Sequence, residues 1–81
     1  MYYIEGQKYE YGIKYQKDLT KAFEEYLRGA AENNELGCLY KLVRIFVEPE
    51  LAHVFGKTVD LVKAFNYFVR VFVNHGLFDY S

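Results

Sequence analysis

The segment "DLTKAF" begins at Asp18, and "DLVKAF" begins at Asp60, 42 residues further along an 81-residue chain. That repeat constrains the fold more than any other feature. Asp18, Leu19, Lys21, Ala22, Phe23 and Arg28 match Asp60, Leu61, Lys63, Ala64, Phe65 and Arg70 identically, and Tyr26 pairs with Phe68, Leu27 with Val69 and Ala31 with Val73. A fixed period of this size, written in amphipathic segments, means one supersecondary unit used twice. A unit that cannot bury its apolar stripe alone buries it by stacking on its copy.

Both copies carry helical periodicity. Leu19, Ala22, Phe23, Tyr26, Leu27, Ala30 and Ala31 follow Asp18 at i, i+3, i+4, i+7, i+8 spacing, one face of a 3.6-residue period. Asp18 is placed to accept orphan backbone N–H groups, and Asn33-Asn34 to end the helix. In the second copy Leu61, Ala64, Phe65, Phe68, Val69, Phe72 and Val73 form the stripe, with Asp60 as cap and Gly76 as terminator. The β-branched content of "YFVRVFV" admits a strand, but spacing and caps favour a helix. Between the copies, "ELGCLYKLVRIFVE" places Cys38, Leu39, Leu42, Val43 and Phe46 on one stripe that Pro49 stops, and "PELAHVFGKTV" reads as a linker. A shorter helix ends at Gly12. The expected fold class is all-α: helical-hairpin repeats forming an α-solenoid, with about four helices near 2–12, 19–33, 35–48 and 60–75. One domain spans 1–81, in units of roughly 1–34 and 35–76 with a short C-terminal tail.

Chains this short bury a limited fraction of their surface. Nine Tyr and seven Phe offset that limit, because each aromatic ring buries a large area. Ten basic and eleven acidic residues leave a net charge of −1, which argues against a nucleic-acid footprint. The apolar run "YFVRVFV" is broken by Arg70 and falls far short of the ~20 residues that span a bilayer, so no membrane role is expected. Cys38 is the one cysteine and the start "MYYIEGQKYEYG" lacks a signal-peptide core, which makes the cytoplasm or nucleus the expected compartment.

These residues resemble Sel1-like repeats, relatives of the tetratricopeptide repeat. Gly6-x-x-Tyr9-x-x-Gly12, then Asp18-x-x-Lys21-Ala22, then Ala30-Ala31-Glu32-Asn33-Asn34 match the family's three blocks, with Asn34 in place of the usual Gly. The second unit has Cys38 where Ala is usual, Val43 where Gly is usual and Phe46 where Tyr is usual, then Asp60-x-x-Lys63-Ala64 and Gly76. The ordinary tetratricopeptide repeat, with its 34-residue period, is the nearest rival, and Asp-x-x-Lys-Ala favours the Sel1-like pattern. The resemblance implies a scaffold or adaptor that binds proteins and has no chemistry of its own.

Chemical signatures are absent from the sequence. Cys38 lies on an apolar stripe with no activating base nearby and reads as a small core residue. His53 and His75 lack metal-ligand spacing. Glu24-Glu25 and Glu48-x-Glu50 read as solvated carboxylates, since adjacent helical residues do not face each other. Asp18 and Asp60 read as caps, with Lys21 and Lys63 reaching back to them. "KYEYGIKYQK" interleaves Lys8, Lys14 and Lys17 with Tyr9, Tyr11 and Tyr15, a pattern that suits single-stranded nucleic acid, yet repeat tyrosines also pack inward while lysines solvate a loop.

The last helix stands apart. Its polar residues, Asp60, Lys63, Asn66 and Arg70, occupy a narrow strip, whereas a terminal repeat needs a polar outer face. The expectation is therefore a non-catalytic interaction module, without cofactor or metal, that meets a larger protein partner, a second copy or further repeats outside this chain through Phe68, Val69, Phe72, Phe78 and Tyr80. The alternative is a peptide groove lined by Tyr9, Tyr40 and Tyr67.

Overall fold

The computed structural model describes residues 1–76, so Phe78 and Tyr80 lie outside the described residues. Within them the protein is all-helical, with five helices: α1 (Tyr2–Tyr11), α2 (Leu19–Asn33), α3 (Leu36–Val47), α4 (Pro49–Val54) and α5 (Leu61–His75). Four of these stand where periodicity places them. The fifth, α4, corrects the reading of "PELAHVFGKTV" as a linker. Pro49 ends one helix and begins the next: it sits at the first position of α4, where its missing N–H costs nothing.

The two copies of the repeat are built alike. Asp18 accepts from the backbone N–H of Lys21 at 3.0 Å, and Asp60 from that of Lys63 at 3.1 Å. The Asp18 N–H donates to the Tyr9 carbonyl and the Asp60 N–H to the Phe46 carbonyl, both at 2.9 Å. The lysine side chains do not reach back to these caps as expected. The Lys21 ammonium lies 5.6 Å over the Tyr9 ring and that of Lys63 5.3 Å over the Phe46 ring, a contact that keeps the charge hydrated at its rim while its stem covers the ring. Gly12, Asn34 and Gly76 end α1, α2 and α5 in the left-handed region, as their local sequence demands.

Helix α3 is the centre of the molecule and packs against each of the other four. Its Cys38, Leu39, Leu42 and Ile45 are fully buried, together with Tyr26 of α2 and Val71 of α5. The buried line of α2 is Ala22, Tyr26, Gly29 and Ala30. Leu27 and Ala31, expected on that face, are exposed, because small residues at 29 and 30 draw the neighbouring helices onto one narrow strip. In α5 the correction is larger: Ala64 and Val71 are buried and Tyr67 half-buried, whereas Leu61, Phe65, Phe68 and Val73 of the expected stripe point outward. Arg70 holds α5 in that phase. Its guanidinium donates to the Ala30 carbonyl and to Asn34 Oδ1, meeting the unsatisfied carbonyls and negative dipole at the end of α2.

Candidate docking face and the buried joint behind it

A polar joint fixes α1, α2 and α3. Tyr26 donates its hydroxyl to Glu10 Oε1 at 2.6 Å, and Lys41 Nζ pairs with Glu10 Oε2 at 3.0 Å, all three side chains being buried. The Lys41 ammonium also lies 5.8 Å from the ring centres of both Tyr11 and Tyr26. Burial first, and the Glu10 acceptor second, push the Tyr26 phenol far above its ordinary 10.0, so it remains a donor. At the opposite end of α1, the Glu35 carboxylate accepts from the backbone N–H groups of Tyr2 and Tyr3 at 3.0 and 3.1 Å, capping α1 from 33 residues away. None of Glu10, Lys41 and Glu35 stands out in the sequence. The available signal was a lysine three residues after Cys38 and four before Ile45, inside an apolar stripe.

Cys38 is an inert core thiol on the buried face of α3, against Gly29. Desolvation, then the Glu35 charge, pushes it up to about 12. Folded-state values raised for Cys38 and Tyr26 mean that the native state disfavours the thiolate and phenolate. The contribution of these two groups to stability should be complete below pH 9.0, the ordinary thiol value, and should be lost as pH climbs toward the raised folded values. A thiol reagent at pH 8 is expected to label Cys38 only as fast as the fold opens. Labelling of the native chain at the rate of a free thiol would contradict this burial.

On the far side of α5 the surface changes character. Leu61 and Phe65 are each 64% exposed, Val62 72% and Phe68 40%. With Val43 and Val47 of α3 and Ala64, three of them line an open groove of about 310 Å³ whose walls are almost wholly apolar. The phase of Phe68 has a local cause. In the first hairpin a Cβ on Gly6 would lie 2.4 Å from Cε1 of Tyr26, so the ring rests where a side chain would be. Val43 stands at the corresponding place in the second hairpin, and Phe68 packs edge-on against Phe72 instead, 4.7 Å between centroids.

The expected contact residues thus divide. Phe68 is exposed, while Val69 and Phe72 are half-buried. The tyrosines of the alternative groove take separate places. Tyr9 stacks on Tyr15 at 4.7 Å, Tyr67 lies parallel to Phe46 at 6.4 Å, and Tyr40 is exposed on α3. A larger polar hollow of about 470 Å³ opens beside Tyr9, Tyr15, Lys17, Asp18 and Lys21. Its ring faces are already taken by each other and by Lys8, Lys14 and Lys21. The apolar groove is the better candidate, since no other described residue lines or fills it. His53 is exposed in the last turn of α4. His75 Nε2 lies 2.6 Å from the Asn34 carbonyl oxygen. Glu48 pairs with Arg44 at 2.8 Å, which holds its carboxyl below the ordinary value. Among the described residues no three His, Cys, Asp or Glu side chains gather in a metal-binding group, and no helix is long and apolar enough to cross a membrane.

No family model matches the chain, and no curated protein or solved structure matches it.

Proposed function

We propose that this chain is a two-unit Sel1-like helical-hairpin solenoid that works as a protein-docking module without chemistry of its own. Its contact surface is the outward face of α5 with the adjoining edge of α3. The repeat reading is supported by the matched caps at Asp18 and Asp60 and the matched Lys-over-ring contacts. The docking reading is carried by one observation: Leu61, Val62, Phe65 and Phe68 lie exposed side by side on one helix. A contiguous apolar patch of this kind marks an interaction site.

Two measurements on one variant test the reading. The full chain is expected to bind a hydrophobic fluorescent dye in its native state and to show association by light scattering coupled to size exclusion as concentration rises. Phe65→Asp should remove both while leaving the thermal midpoint within about 4 °C, since an exposed substitution changes stability by about 0.5 kcal/mol or less. A strict monomer with no dye binding would mean that the face is covered, and would overturn the reading.

A further inference from the structure

The open groove has an internal counterpart that is filled. Helices α1 and α3 are placed in register by Tyr9 and Phe46, whose carbonyls accept the capping Asp N–H and whose rings carry the lysines. In that register Val43 corresponds to Gly6 and Val47 to Glu10. The 42-residue repeat matches Phe65 to Phe23 and Phe68 to Tyr26. In the first hairpin these positions are covered by α3, with Phe55 adding to the cover of Phe23 and Tyr26. Lys41 pairs with Glu10, Phe46 meets Phe23 edge-on at 6.1 Å, Gly37 lies against the Tyr3 ring and Cys38 against Gly29. Ile45, one turn after Lys41, is fully buried on the same stripe.

We propose that the α3–α5 groove receives one α-helix of a partner chain, seated as α3 sits on α1 and α2, and apolar where α3 carries Lys41. The proposal rests on the docking reading above and names its occupant. The partner's chemistry follows from the polar groups of the first groove that the second lacks, the Glu10 carboxylate and the Tyr26 hydroxyl, which Val47 and Phe68 replace. Glu10 offers a carboxylate to Lys41, and Val47 offers none, so an ammonium seated there would be enclosed without a counter-ion, which costs more than its stem gains. Recognition is by a helix laid in a groove, with anchors spaced as Cys38, Lys41 and Ile45 are spaced. A second copy of this chain can meet the face with its own exposed α5 surface, but it does not seat its α3 in the groove while folded, because Cys38, Lys41 and Ile45 are buried within it.

A swap of partners tests this. The α3 segment, residues 35–48, is made as a fluorescein-labelled peptide with Cys38→Ser and a hydrocarbon staple across the solvent-facing positions of Tyr40 and Arg44. It is titrated against the full chain by fluorescence anisotropy. The Lys41→Leu peptide is expected to bind at least about tenfold tighter than the parent peptide. Val47→Glu in the chain should reverse that order by giving Lys41 the partner it has in the first groove, and Phe65→Asp should abolish both. Equal affinities, an order that Val47→Glu leaves unchanged, or binding that survives Phe65→Asp would each overturn the proposal. Neither peptide binding, with dye binding and association still removed by Phe65→Asp, would remove this occupant and leave the docking face standing. Phe65→Asp without effect in any assay would remove both.

Discussion

Lys41→Met is expected to destabilise the protein by roughly 3–5 kcal/mol, the cost of leaving a buried charge without its partner. The substitution keeps the length and apolar stem of the side chain, so the loss does not come from a cavity. It comes from Glu10, which is buried and then holds only the Tyr26 hydroxyl. For a domain of this size each kcal/mol moves the midpoint by about 4–8 °C, and total stability is only about 5–15 kcal/mol, so the variant should melt tens of degrees lower. Glu10→Gln alone should also lose several kcal/mol, since it strands the ammonium. Combined, the two changes should cost less than either alone. The Gln carbonyl still accepts from Tyr26, and no bare charge remains. Denaturant titration of the four proteins gives the coupling directly. Additive losses would mean that the three groups do not act as one joint.

Gly6→Ala carries the second large effect, and its sign is the informative part. In an open helix interior the change gains about 0.5–1 kcal/mol. At Gly6 the new Cβ would lie 2.4 and 2.7 Å from Cε1 and Cδ1 of Tyr26. That ring has no room to retreat. It is fully buried, its hydroxyl is held by Glu10, and Tyr3 and Phe55 stand 6.0 and 6.4 Å away, centroid to centroid. Overpacking of this kind costs about 1–3 kcal/mol beyond the propensity gain, and it also pulls Tyr26 off Glu10. Thermal and denaturant midpoints should both fall. A stabilised Gly6→Ala protein would show that the Tyr26 ring moves freely, and the rigid joint described here would be wrong.

What the sequence displayed was local. Asp18, Asp60, Gly12, Asn34 and Gly76 act within a few residues of where they stand, so their roles were readable from spacing alone. The phase of α5 was not. Its apolar residues extend around more than half the helix, and the choice between the Ala64–Tyr67–Val71 line and the Phe65–Phe68–Phe72 line is made by α3 and by Arg70 reaching the end of α2. The spacing put Ala64 and the phenylalanines on one stripe alike, and close approach buried the alanine. Glu10 and Lys41 were invisible for a related reason: they are 31 residues apart, and a charge in an apolar stripe announces its partner only after the helices have docked. Pro49 was ambiguous because the same residue marks the end of one helix and the first turn of another.

The connection between α3 and α5 has a consequence for how divisible this chain is. It is longer than its counterpart between α1 and α2, and the extra length forms α4 and the corner after it. That corner turns back toward the first hairpin: Phe55 packs against Phe23 and Tyr26, and the Lys57 ammonium lies 4.3 Å over the Phe23 ring. The second hairpin therefore roofs the first with residues that belong to its own loop. The period written in the letters is not a period of excision. A cut between residues 34 and 35 would leave the first half without its central helix and without its roof, so the two copies share one folding fate.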